Sequence, residues 1–366
     1  RNFSASTAIH CAMRGATPEY YDYAVQKGVL KNKAYTPEDT RTFRQGVKKY
    51  IVPLFLELRQ GRRKTLGLEE LQPWDTMLNP FGVTPMAEFS SDADALDRAE
   101  RVLDKLDPEF GDVLRRLRTH HLIDIESRAS KARHGEAGWL PETEQPFLIM
   151  QIGPRAFNIQ LLFHELGHAI HFAMMPQGQP YEIYDTPLEF AEFIAQTFEI
   201  ITTPLSDTFF QPSELDIVNY LLLERICFEI INMTKLDEFQ EAVYKEASLD
   251  PQKVNAIYNT IDAQYPTGVE WGDAAYLRPY FWKNLTMFSN PFYRFEYAVA
   301  WVAALQFQNE YQRNPEASLS NFKAAMRRGF TRPARELFQE AGINLRFDEA
   351  ALAQTAAELR SRMVVS

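Results

Sequence analysis

Cysteine is nearly absent, with Cys11 and Cys227 the only two in 366 residues. They form at most one bridge, too few to staple a secreted scaffold of this size, so a reducing, cytoplasmic setting is expected. Long uncharged apolar runs are missing as well. The most hydrophobic stretches are cut by His164, Glu165 and His168 or by Glu224 and Arg225. None nears the ~18 residues of a membrane span, so no membrane association is expected. Basic charge is in deficit: 39 Lys plus Arg against 49 Asp plus Glu leave a net −10, with a pI near 5.4. That sign is wrong for a general binder of phosphate backbones, so nucleic acid is excluded as a partner. Histidine is scarce, seven in all, and none follows His171. The chain opens Arg-Asn-Phe-Ser, with neither an initiator Met nor a charged-then-apolar signal layout, and reads as a truncated or processed start.

What is present is globular. Hydrophobic residues at 45%, charged at 24% and aromatic at 13% exclude a disordered or fibrous chain, and the length allows one large or two or three ordinary domains. Helical punctuation recurs. Thr36-Pro37-Glu38-Asp39 forms a capping box before Phe43, Val47, Tyr50 and Leu54 at helical spacing, and Pro53 is expected to kink that helix. Further helices are expected at 92–106, 109–121, 156–175, 186–203, 213–233, 235–246, 251–262, 292–312, 315–328, 333–341 and 348–363. One strand stands out, 146–152, between Pro146 and Gly153-Pro154, with 130–145 as its candidate partner. Residues 72–90 read as a Pro-rich loop. The expected fold is mainly α with a small β-sheet.

His164-Glu165-Leu166-Gly167-His168 lies in an apolar helical run. At i and i+4 the two imidazoles sit about 40° apart on one face and roughly 6 Å along the axis, so both reach one zinc. Glu165 borders the same opening and suits a general base, since the metal acidifies water to a pKa near ~7. A hydrolytic zinc needs a third protein ligand and an open fourth position. Glu182, Asp185, Glu189, Glu192 and Glu199 compete for the third place. Thr186-Pro187-Leu188-Glu189 reads as a capping box that turns Glu189 back to its helix start. Glu192 falls in an apolar stretch where a charge needs a partner, which a metal supplies. Glu199, seven residues on and on the same face, suits an acceptor that orients a ligand imidazole, or is a surface acid. His171 is expected to pack or bond locally, and His120-His121 to end a helix.

The runs HELGHAIH, QPY, AEFIAQTFE and PFYRFEYAVAWVAALQF, with GFTRP and LFQEAG near the end, resemble the thimet oligopeptidase and oligoendopeptidase F family of zinc peptidases. The resemblance is densest over 146–347. It implies one zinc per chain held by His164, His168 and Glu192, with Glu165 as general base or acid. It also implies a helical, two-lobed body whose deep cleft admits short peptides, with 126–366 as the catalytic region and 1–125 as the remainder of an upstream lobe. An oxyanion donor carries over to Tyr297, with Tyr293, one helical turn before it, as a weaker second. Amphipathic aromatics lining a wall are the alternative there. The family's second donor, a histidine about ten residues earlier, has no counterpart, since Thr286 and Met287 occupy that region. Arg294 suits a substrate carboxylate or a local ion pair. The expected activity is endopeptidase cleavage of short unstructured peptides, with the peptide added as a strand along 146–153. The alternatives are a carboxypeptidase or peptidyl-dipeptidase on the same scaffold, or a catalytically weak peptide binder. Oligomeric state is not legible.

Overall fold

The computed structural model describes residues 33–132, 134–246, 250–283 and 293–363. Its first helix, α1 (Pro37–Gly46), opens as its sequence asks: the Asp39 N–H donates to the Thr36 hydroxyl at 3.2 Å, and the Thr36 N–H donates to Asp39 at 2.8 Å. Pro53 has no N–H to give, and its ring crowds the carbonyl four residues back. The chain answers with a π turn, Val47–Ile51, and resumes as α2 (Val52–Thr65). There follow α3 (Asp92–Leu106), α4 (Pro108–Thr119), α5 (Ala156–Met174), α6 (Leu188–Thr202), α7 (Leu215–Tyr244), α8 (Pro251–Asp262), α9 (Tyr293–Arg313), α10 (Pro315–Met326), α11 (Ala334–Glu340) and α12 (Glu349–Arg362). Helix α4 stops where a histidine pair was expected to stop it, with His120 as its cap and His121 in the left-handed region at φ 55°.

Two expectations fail. The helices at 213–233 and 235–246 are one, because Thr234 does not cap a new helix: its buried hydroxyl donates to the Ile230 carbonyl within α7 at 2.6 Å. The capping box at 186–189 does not form either. Pro187 sits at the cap with no side-chain bond, and the Thr186 hydroxyl is buried without a hydrogen-bond partner.

The sheet has three short strands, β1 (Ile123–Asp124), β2 (Glu136–Leu140) and β3 (Gln145–Ile149), in the order β1-β3-β2. β3 is parallel to β1 and antiparallel to β2, with Gly138 opposite Phe147. The Cβ that Gly138 lacks would lie 2.7 Å from the Phe147 ring, so the hairpin closes only over a glycine there.

The described residues divide into two compact units. One draws on 33–82, 224–246, 250–283, 293–299 and 346–360, and includes edge-to-face rings of Tyr35, Phe43, Phe295 and Phe347, with centroids 5.0–6.2 Å apart. The other draws on 83–132, 134–223, 300–345 and 361–363, and holds the sheet, α5 and α6. Its core joins Phe190, Phe193, Phe198, Phe322 and Phe338, with centroids 5.1–6.1 Å apart. Such ring pairs add about 0.5–1.5 kcal/mol each beyond area burial, so three phenylalanines of α6 anchor it to α10 and α11. Helix α5 packs on β2 and β3 and against α6. Where α5 and α6 meet, a Cβ on Gly167 would stand 2.9 Å from the Ala195 Cα, so the glycine sets their close approach. Among the described residues no helix is long and apolar enough to cross a membrane. Cys227 is a buried free thiol, and Cys11 lies outside the described residues.

Candidate metal centre

Helix α6 buries thirteen of its fifteen residues. Its carboxylates therefore sit inside, where each needs a compensating group. Glu192 and Glu199 find it on α5. The Glu192 carboxylate is 3.4 Å from His164 Nε2 through Oε2 and 3.8 Å from His168 Nε2 through Oε1. The two imidazoles stand nearly perpendicular, 85° apart with centroids 4.9 Å apart, as residues i and i+4 of one helix. His164, His168 and Glu192 offer one donor atom each, all within 4.8 Å of one another. Bonds of 2.0–2.1 Å to one tetrahedral ion would set their donors about 3.4 Å apart, so the measured separations suit a single small cation.

His164 Nδ1 is 2.8 Å from Glu199 Oε1, so the carboxylate orients the ring from behind. Burial by itself would push the His164 imidazole down, but the Glu199 hydrogen bond and the charges of Glu192, Glu199 and Glu165 raise it to about 9. His168 goes the other way, held well below its usual value by burial and by the neighbouring His164 and His171.

Glu165 is buried beside the start of β2. Burial, then the charges of Glu199 and Glu136, hold its carboxyl above the usual range against the pull of His164 and His134. A carboxylate raised in this way holds a proton more readily than an exposed one, which suits a group that accepts and returns a proton. Neither Gly135, whose backbone abuts Glu165, nor the exposed His134 stood out as a site residue from spacing. Both fall within 130–145, which the sequence marks only as a candidate partner for the strand at 146–152.

Other expected residues fall as follows. Glu189 is fully buried on the first turn of α6 and lies outside the three-donor cluster. His171 is buried, stacked at 20° on Phe172 and edge-on to Phe190, and burial drives its imidazole down to about 3. Tyr293 and Tyr297 share one face of α9, their phenols hydrogen-bonded to each other and both half-buried. They belong to the other compact unit. Arg294 is half-buried, while Glu296 pairs with Lys33. Thr286 and Met287 lie outside the described residues.

The strand expected to receive a peptide, 146–153, is paired on both sides as far as Ile149. Leu148, Met150 and Ile152 donate their N–H groups to Leu122, Asp124 and Ile125 at 2.9–3.0 Å, and β2 pairs on the opposite side from Gln145 to Ile149. The edges of the sheet are β1, of two residues, and the longer β2, and among the described residues β2 has no further strand beside it.

A sequence profile of one peptidase family, M3, matches residues 14–357. The chain belongs to peptidase family M3. It is 23% identical to an oligoendopeptidase F homolog of Lactococcus lactis over 89% of this chain and 54% of that protein. It is 25% identical to the group B oligopeptidase PepB of Streptococcus agalactiae over 84% of this chain and 52% of that protein. The chain thus spans about half the length of these curated M3 relatives. The solved structure of PZ peptidase A with an inhibitor superposes with a TM-score of 0.83 at 24% identity, covering 90% of this chain and 58% of that one. That likeness establishes the mainly helical fold with its small sheet.

Proposed function

We propose that the chain is the catalytic part of a cytoplasmic zinc-dependent oligopeptidase that cuts internal bonds of short, unfolded peptides, with 126–366 as its catalytic region. The observation that carries this reading is the donor set His164, His168 and Glu192 with the buried, proton-hungry Glu165 beside it. Two imidazoles and one carboxylate are a donor set for zinc with one position left open. When bound, zinc supplies Lewis-acid polarisation of a carbonyl and acidifies water to a pKa near ~7. The remaining work falls to the chain. Glu199 holds the His164 ring by its Nδ1, leaving Nε2 toward the centre. The open edge of β2 takes the peptide as an added strand, its backbone groups meeting those of Glu136–Leu140. Glu165 removes the proton of the attacking water and delivers it to the leaving amine. Tyr297, with Tyr293 as its hydrogen-bonded neighbour, donates to the oxyanion as the amide carbon becomes tetrahedral.

Purified protein should carry about one zinc per chain, and Glu165→Gln should keep the metal while losing about 10² to 10⁴ in turnover. Near-normal hydrolysis by that variant would remove the reading. Tyr297→Phe deletes one oxygen and should lower kcat roughly 10² with KM little changed. An unchanged kcat would remove Tyr297 from the oxyanion role. A peptide with an amidated C-terminus should be cut as well as the free acid, and a folded protein should resist. Dependence on a free carboxylate would transfer the chain to carboxypeptidase or peptidyl-dipeptidase chemistry.

A further inference from the structure

We propose that Gly135 is a positioning residue for Glu165: the side chain it lacks is the space that the Glu165 carboxylate occupies. The inference rests on the peptidase reading for its catalytic consequence. A Cβ built on Gly135 would lie 2.6 Å from both Cγ and Oε1 of Glu165 and 2.8 Å from its Cδ. Those are its three nearest atoms, so the crowding is directed at this one side chain. Backbone conformation does not demand glycine at this position. Seven described glycines adopt positive φ, and Gly135 is not among them. Gly138, three residues on, answers instead to the Phe147 ring and to hairpin packing.

The partners on either side of the contact differ in stiffness. Gly135 leads directly into β2, whose register is pinned from Glu136 opposite Ile149 to Leu140 opposite Gln145. Glu165 meets it with Cγ, Cδ and Oε1 of a flexible side chain. An added methyl is therefore relieved by rotating Glu165 rather than by moving the sheet. The predicted consequence is unusual for a glycine substitution, a loss of function with stability kept. Displacement of a catalytic group by about 1 Å can cost on the order of 10² in rate.

The test is Gly135→Ala in the full chain. The expected variant keeps its thermal midpoint and its zinc, keeps KM, and loses at least about tenfold in kcat. In crystals of the metal-free variant the Glu165 carboxylate should be displaced by about 1 Å or more. On a Glu165→Gln background, adding Gly135→Ala should change residual turnover less than about twofold, because the group being positioned is already gone. Unchanged kcat, or an undisplaced Glu165, overturns the proposal. So does a full loss on the Glu165→Gln background, which would mean the methyl blocks the peptide strand. Loss of folding or of zinc would assign Gly135 to the stability of the sheet and overturn it too. If the parent cuts no peptide, the peptidase reading fails, and the Glu165 position in metal-free crystals still decides the steric claim.

Discussion

Asp237 and Glu241, on α7, are buried against the Arg44 guanidinium of α1, while Glu192 and Glu199, on α6, are buried against the imidazoles of His164 and His168. Both groups solve the same problem, charge inside a low-dielectric interior. They solve it with partners of different chemistry. A guanidinium is cationic at every accessible pH and has no lone pair to lend, so the α1–α7 group is closed and serves structure. Glu224 is held in the same way, by Arg62 and Arg59 from α2. An imidazole can give up its proton and offer that nitrogen to a metal, so the α5–α6 group is open to exchange. Partner identity, more than burial or acidity, separates a buried carboxylate that holds the fold together from one suited to a metal centre.

The largest effect that tests this contrast is Arg44→Ala. Removing the cation takes the guanidinium from buried Asp237 and leaves Glu241 with Lys245, and breaking such a buried pair costs about 3–5 kcal/mol, read as a shift in the urea midpoint. Under conditions where the variant stays folded, its zinc content should equal that of the parent. A variant that loses zinc while keeping stability would show that the two groups are not separable in role.

A smaller effect is expected on the acid side. Burial tends to raise the Glu241 carboxyl, but Arg44 and Lys245 outweigh it and hold it down at about 2, against an ordinary 4.5. A depressed carboxyl contributes stability that is whole above its unfolded value and is lost as pH falls from about 4.5 toward 2. Asp237, beside the same Arg44 and close to Glu238 and Glu241, is pushed upward by burial and does not share that sign. Glu241→Gln should therefore flatten the acid limb of a stability-versus-pH curve between those values. An unaltered acid limb would place the acid sensitivity elsewhere, Asp124 with Arg128 and Lys131 being another strongly depressed carboxylate.

The helices were legible because their signals are local. Thr36 with Asp39, the proline that opens α8 and the i, i+4 histidines each act within one or two turns, and the ends of most helices lie within two or three residues of where those signals put them. Local signals also misled. Thr186 and Thr234 are both good caps by residue type, yet one is buried without a bond and the other bonds back within a longer helix. A hydroxyl can serve a helix end or a helix interior, and packing chooses between them.

The sequence by itself determined which helix carries the two histidines, which face they share and that Glu165 follows the first, since 3.6 residues per turn leaves no other arrangement. Tertiary structure decided the rest. That β3 is central and β2 an edge depends on Leu122–Ile125 pairing with a strand more than twenty residues later. That Glu192 reaches both imidazoles depends on α6 packing closely over Gly167, and that Glu165 rests against Gly135 depends on the sheet packing onto α5. Hydrophobic periodicity says that a face is buried. It carries no information about which distant surface buries it, and that choice is made only when the whole core packs together.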